Sequence, residues 1–252
     1  MKGSVCITGA DRGLGLELSK NFLEAGFTVF AGRYLKNWTY LEELKREYPE
    51  TLVIIELDVS RDESVKNAVL QISAQADSLE VLINNAAIGG GDEDKGTIFD
   101  ELNFERMLHL FNVNALGALR MSNACINLIM ASGRKLIVNI SSEAGSIGTC
   151  WRYDAFGYCM SKAALNMSSA IIHNRLHREY NGQVLDINPG GMATYLTATR
   201  GENDEMLPPP QRSAEITPEL SAKRITKLIL DHGRFKSDHP GFVNYAGDRI
   251  PW

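Results

Sequence analysis

Seven short apolar, β-prone runs punctuate this chain, and helical patterns fill most of the gaps between them. The runs are Val5–Thr8, Thr28–Ala31, Leu52–Leu57, Val81–Ile83, Leu136–Ile140, Val184–Ile187 and Phe242–Tyr245. Regular alternation leaves few architectures, because parallel strands must be joined by crossovers and the crossover helices must cover both faces of the sheet. Two helix starts are legible. Ser60-Arg61-Asp62-Glu63 has the pattern of a capping box. Thr217-Pro218 has that of an N-cap followed by proline in the first turn.

The first strand runs into Thr8-Gly9-Ala10-Asp11-Arg12-Gly13-Leu14-Gly15, and an apolar stripe at Leu14, Leu18, Phe22 and Leu23 follows at helical spacing. Strand, glycine turn and helix in that order make a phosphate cradle. The glycines let the backbone turn tightly and approach a pyrophosphate, and the free N–H groups of the helix start favour the anion. The spacing is G-x-x-x-G-x-G rather than G-x-G-x-x-G. The expected fold class is therefore α/β: a single doubly wound Rossmann-type domain, its seven-stranded sheet mostly parallel, with helices on both faces. A chain of 252 residues, 44% hydrophobic, suits one such domain over residues 1–252, with no linker or repeat to divide it. The irregular stretch 190–216, with Pro208-Pro209-Pro210, is expected to be a substrate loop or lid.

Tyr158 and Lys162 stand four residues apart, so a helix places a phenol and an ammonium on one face. A nearby cation favours the phenolate and lowers a pKa that is ordinarily about 10, which suits a general acid working near neutrality.

These pieces carry a resemblance to the short-chain dehydrogenase/reductase family. In family order they are the glycine turn, Asp58-Val59, Asn84-Asn85-Ala86-Ala87, Asn112-Val113-Asn114, Ile140-Ser141-Ser142, Tyr158 with Lys162, and Pro189-Gly190-Gly191-Met192-Ala193-Thr194. They cover almost the whole chain. The ending Gly241 to Gly247, closing on Pro251-Trp252, resembles the sniffer-type carbonyl reductases and C-factor-like proteins. The resemblance implies a catalytic set of Asn114, Ser142, Tyr158 and Lys162. Tyr158 gives a proton to a carbonyl oxygen as hydride arrives, and Ser142 polarises that oxygen. Lys162 lowers the phenol pKa and holds the nicotinamide ribose, and Asn114 anchors a water that relays the returning proton. Ser142 is chosen over Ser141 because Ser142-Glu143-Ala144-Gly145 fits the family's Ser-x-x-Gly.

The cofactor set implied is Gly9, Asp11, Arg12, Gly13, Leu14 and Gly15 in the turn, then Arg33, Asp58, Val59, Asn85, Ala86 and Ala87. It continues with Tyr158, Lys162, Pro189, Gly190, Met192 and Thr194. The family usually has glycine where this chain has Ala87, which restricts the backbone there. NAD-binding sites place an acid after the second strand, where this chain has Arg33. A guanidinium suits the 2′-phosphate of NADP. Arg12 lies in the phosphate turn and Lys36 nearby, so NADP(H) is expected over NAD(H). Trp151, Met192 and Tyr195, with Ser142 and Tyr158, are the expected substrate contacts, and Phe156 and Trp252 are further candidates. Aromatic walls suit a hydrophobic carbonyl compound.

A carbonyl reductase is thus the expected function. The rivals are the same chemistry run as an alcohol dehydrogenase, and a nucleotide-binding regulatory protein in which catalysis is incidental. The net charge of −5 without like-charge blocks suggests neither nucleic acid nor membrane as partner. Four cysteines without metal-ligand spacing give no metal site and suit a reduced, cytoplasmic protein. The family implies a homodimer or homotetramer, with faces expected on helices near 101–131 and 154–180.

Overall fold

The computed structural model describes residues 2–192 and 216–252. Its strands are β1 (Ser4–Ile7), β2 (Thr28–Arg33), β3 (Leu52–Glu56), β4 (Val81–Asn84), β5 (Leu136–Ile140), β6 (Gln183–Asn188) and β7 (Gly241–Asn244). Between them lie α1 (Gly13–Glu24), α2 (Tyr40–Glu47), α3 (Asp62–Ser73), α4 (Phe104–Phe111), α5 (Ala118–Ala124), α6 (Ile126–Met130), α7 (Phe156–Tyr180) and α8 (Pro218–Leu230). All seven expected strands form, with ends shifted by a residue or two. The sheet order is β3-β2-β1-β4-β5-β6-β7, and every neighbouring pair is parallel, so the sheet is more uniform than the mostly parallel one expected.

Pleat alternation explains why the strands read as continuous apolar runs. Val5 and Ile7, Val81 and Ile83, and Leu136 and Val138 feed one core, which also takes Leu18 and Phe22 of α1 and Ile225 of α8. Cys6, Leu82 and Ile137 face the other, with Ile72 of α3, Met121 of α5 and Ile129 of α6. Both faces are covered, so most positions on either face are apolar.

Strand order reverses between β1 and β4: β2 and β3 extend the sheet on one side of β1, and β4 to β7 on the other. At such a switch point the connections leave to opposite faces and open a crevice beyond the carboxyl ends of the strands. The glycine turn follows β1 and Asn85-Ala86-Ala87 follow β4, so both line that crevice.

The two helix starts behave differently. Thr217 accepts a hydrogen bond from Leu220 N–H at 3.3 Å, with Pro218 in the first turn. The capping box at Ser60 does not form. The Ser60 hydroxyl donates to Asp58 Oδ1 at 2.6 Å, and Ser64 takes the Asp58 N–H, leaving Arg61 as an N-cap without a side-chain bond. An aspartate two residues upstream competes with the helix for the same hydroxyl.

Candidate active site

The cleft at the switch point encloses about 1120 Å³ of empty space, part of it open to solvent. At one end lies the glycine turn, with Gly9, Asp11, Arg12, Gly13, Leu14 and Gly15 in its wall. Gly9 and Gly13 sit at φ +61° and +54°, the region where side chains are strained. Gly15 is constrained by space instead. A Cβ there would strike the Gly9 carbonyl and lie 2.5 Å from Asn85 Nδ2. The turn is pinned from β4: Asn85 Nδ2 donates to the carbonyls of Thr8 and Gly9, both at 2.9 Å. Thr8 Oγ1 in return accepts from the N–H groups of Asn85 and Ala86, at 3.0 and 2.9 Å. Helix α1 starts at Gly13 with no side-chain cap, so its first N–H groups are left to whatever occupies the cleft.

Asp58, Val59, Asn85, Ala86 and Ala87, all in the cofactor set implied by the resemblance, form the middle of the wall. Ala87 does not adopt a positive φ, so alanine meets no backbone strain there. Tyr158, Lys162, Pro189 and Met192 close the far end. Thr194 and Tyr195 lie outside the described residues, as does most of the 190–216 stretch. Its two ends are neighbours: Ile216 N–H donates to Gly191 O at 3.3 Å.

Arg33 corrects the sequence-based expectation. It does not line the cleft. Its guanidinium is held by Glu42 of α2 and Glu56 of β3, with Nε donating to Glu56 Oε1 at 2.9 Å. Glu56 also draws Lys36 to 3.6 Å. Strand register sets this up, because Arg33 and Glu56 are direct partners across β2 and β3. Arg12, by contrast, is in the cleft wall beside the glycine turn. It pairs with Asp11 at 2.6 Å and lies over the Trp38 ring at 5.1 Å.

Helix α7 carries Tyr158 and Lys162 on one face. Lys162 is buried, its Nζ 5.9 Å from the Tyr158 ring centroid and donating to Ile140 O at 2.8 Å. Burial depresses its pKa to about 8, against the opposing pull of Asp186. Tyr158 corrects a second expectation. Burial pushes its phenol above the ordinary value, and a hydrogen bond with Ser142 only partly offsets this. Desolvation of the phenolate is the largest cause; the charge that lowers the pKa belongs to Arg152 rather than Lys162. Ser142 therefore reaches the phenol. Ser141 is buried, with its hydroxyl on Asn166 Oδ1 at 2.5 Å.

Asn114 sits in a single π-helical turn, Asn112–Gly117, between α4 and α5. Its Oδ1 accepts from Ile88 N–H at 2.9 Å, and its Nδ2 donates to Ile88 O and Ser161 Oγ, both at 3.0 Å. It thus ties the segment after β4 to the residue before Lys162. Wide turns of this kind recur at functional sites because they re-aim side chains out of helical register.

One residue of this site was not foreseen. The N-cap of α7 is Ala155, at φ +56°, which has no side chain to cap a helix. Asp94 does it from a distance, its Oδ1 and Oδ2 accepting from Gly157 and Tyr158 N–H at 2.8 Å each. The carboxylate fixes the height of Tyr158 and matches the positive end of the helix. Only its place in an acidic Gly-rich loop marks it in the sequence.

The residues between Ser142 and Tyr158 form a tied-down loop. Glu143, next to Ser142, pairs with Arg152 through Nη1 at 2.7 Å and through Nη2. Gly148 N–H donates to Trp252 O at 2.9 Å, and the Ser146 hydroxyl donates to Pro251 O at 2.6 Å. Trp151 does not line the cleft. It is exposed, with Arg152 over its ring at 4.6 Å. Phe156 is half-buried at the start of α7. Trp252 packs its ring on Phe242 at 5.1 Å.

Comparison with known proteins gives four findings. A model of the short chain dehydrogenase family matches residues 4–205. Estradiol 17-beta-dehydrogenase 2 of Mus musculus is 32% identical over 205 residues, 81% of this chain and 51% of that protein. The chain thus spans about half the length of that relative. An uncharacterized oxidoreductase of Schizosaccharomyces pombe is 31% identical and matches end to end, over 98% of this chain and 96% of its own. Among solved structures, an NADPH-bound carbonyl reductase from chicken fatty liver superposes with a TM-score of 0.80. It has 28% identity and covers 99% of this chain and 98% of that one.

Proposed function

Because the chain belongs to the short-chain dehydrogenase family and is an oxidoreductase, we propose that it is an NADP(H)-dependent carbonyl reductase. It transfers hydride reversibly between the nicotinamide and a carbonyl compound or secondary alcohol. The observation that carries this reading is the far wall of the cleft. There the Tyr158 phenol meets Ser142, with Lys162 Nζ 5.9 Å from its ring.

The cleft suits a dinucleotide. A side chain at Gly15 would fill the cradle, and the uncapped start of α1 offers its N–H groups to a pyrophosphate. Gly9 and Asp11 to Gly15 would hold the phosphates, Asp58 and Val59 the adenine, and Asn85 to Ala87 the ribose side. Lys162 would hold the nicotinamide ribose. When bound, the nicotinamide supplies the hydride.

The side chains supply the rest. Tyr158 gives its proton to the carbonyl oxygen, and Ser142 orients that oxygen and stabilises the charge that develops on it. With its pKa raised by burial, the phenol is protonated near neutral pH, which is the form that carbonyl reduction consumes. Lys162 favours the phenolate left behind. Asn114, by holding Ser161 and the Ile88 backbone, supports the path by which the proton returns.

NADP(H) preference rests on Arg12 in the cleft wall and on the lack of an acid at the end of β2. The NADPH in the chicken carbonyl reductase supports it. For the substrate we propose a hydrophobic carbonyl compound. Met192 is in the wall, and Ile147, Trp151 and Tyr153 are exposed on the loop before α7.

Fluorescence titration with NADPH and NADH, followed by turnover of a panel of hydrophobic ketones, aldehydes and quinones, tests the reading. Tighter NADPH binding with carbonyl-dependent NADPH oxidation is expected. Equal binding would remove the Arg12 argument, and binding without turnover of any member would remove the reductase.

A further inference from the structure

On the sheet side of α7, the buried residues Lys162, Asn166, Ser169 and His173 recur at intervals of four, three and four. They form one helical face over β5 and β6. Behind Lys162 on this face lies a buried carboxylate that no step of the reaction above uses. Asp186 of β6 is fully buried and stands directly opposite Asn139 of β5. Its Oδ1 accepts from Asn139 Nδ2 at 3.0 Å and from Ser169 Oγ at 2.7 Å. Asn139 in turn accepts from Asn84 at 2.8 Å, and Asn84 also donates to Ser122 at 3.1 Å. Every one of these partners is neutral. Asp186 Oδ2 is buried with no hydrogen-bond partner among the described residues.

A neutral polar cluster of this kind gains nothing structural from a charge. An isolated buried carboxylate is costly and calls for a compensating cation. The groups that face Asp186 are Asn139 from β5, Phe242 in register from β7, and Ser169 and Lys162 from α7. The charged one is Lys162, and each of the pair acts electrostatically on the other. His173, farther along the same face, is engaged by Val184 N–H and Ser237 O at 3.1 and 3.0 Å. The Lys162 ammonium hydrogen-bonds Ile140 O, one residue beyond Asn139. Lys162 on α7 is therefore anchored to β5 one residue beyond Asn139, the strand partner of Asp186.

We propose that Asp186 is a positioning residue for the reaction, acting through Lys162: its buried charge keeps Lys162 protonated behind Tyr158. The proposal rests on the assignment of Tyr158 and Lys162 above. Asp186 touches neither substrate nor cofactor in it. Burial lifts the Asp186 carboxyl to about 7, and Lys162 is brought down to about 8. Asp186 is ionised where Lys162 titrates, and its effect there is to raise the lysine. Removing the charge lets Lys162 lose its proton at lower pH.

The test is the pH dependence of kcat/KM for NADPH-dependent carbonyl reduction by the wild type and by Asp186→Asn, with Asp186→Ser as a second uncharged variant. The alkaline limb is expected to move down by about one pH unit in both, with NADPH affinity at pH 6 little changed. Limbs that superimpose on the wild type would overturn the proposal. Infrared difference spectra against pH, on the wild type and on Lys162→Met, serve if neither Asp186 variant folds. A buried carboxyl should titrate near neutrality in the wild type and at higher pH once the lysine charge is gone. No titrating carboxyl between about pH 5 and 9, or one indifferent to Lys162→Met, would overturn the proposal. A wild type without reductase activity would fail the functional reading instead, and the infrared result would then decide the coupling.

Discussion

Beneath the glycine turn, Thr8 and Gly9 after β1 and Asn85 and Ala86 after β4 share four hydrogen bonds, all from neutral groups and all within 3.0 Å. Beneath α7, Asn139, Ser169 and Asp186 make a hub of similar size between β5 and β6, but with a carboxylate at its centre and Lys162 beside it. The first hub fixes a shape. It holds a backbone turn at a separation only glycine permits, and nothing in it changes with pH. The second sets a charge. Its carboxylate and ammonium titrate near the pH at which a cell works. A phosphate cradle needs fixed donors, whereas a proton donor needs groups whose protonation can be tuned, and each end of one cleft has the polar hub suited to its task.

The contrast can be broken first at the cradle. Gly15→Ala places a Cβ against the Gly9 carbonyl and Asn85, and NADPH affinity is expected to fall on the order of 100-fold, read by fluorescence titration. Retained affinity would mean that the turn is not the phosphate site. Next comes the neutral hub. Thr8→Val leaves the Asn85 and Ala86 N–H groups without their acceptor, at a cost of about 2–4 kcal/mol in urea unfolding. That loss should be the same at pH 6 and pH 8, because no titrating group is involved; a pH-dependent loss would blur the distinction drawn here. The charged hub should behave oppositely in the reaction. Carbonyl reduction is expected to decline as pH rises through about 8, where Lys162 becomes neutral. A rate flat to the pH at which an unperturbed lysine titrates would contradict it. The smallest effect is at Glu56. Glu56→Gln releases one of the two carboxylates on Arg33, and the NADPH-over-NADH preference should rise by roughly threefold. An unchanged ratio would show Arg33 to be a purely structural cation.

The strands were legible because each is an apolar run buried on both faces, and the cleft because its glycine turn and Tyr158–Lys162 pair are local patterns. The features the sequence hid share a different property. Asp94 reaches Tyr158 across 64 positions, Asp186 meets Asn139 across 47, and Arg33 meets Glu56 across 23. None has a local signature, since a lone acid between strands reads as a solvated charge. Ser60 misled for the opposite reason: its motif was local, but Asp58 was a nearer partner for its hydroxyl. The direction of the Tyr158 shift was also out of reach. Spacing showed a cation nearby, while burial, the largest cause of the shift, belongs to the folded chain.

The assignment of Tyr158 as proton donor at the end of a dinucleotide cleft is tested most directly by Tyr158→Phe. The measurement is NADPH binding by fluorescence alongside NADPH oxidation with a carbonyl compound that the wild type reduces. The account predicts NADPH binding within about twofold of wild type and turnover lower by roughly 1,000-fold. Turnover close to wild type with NADPH still bound would contradict it.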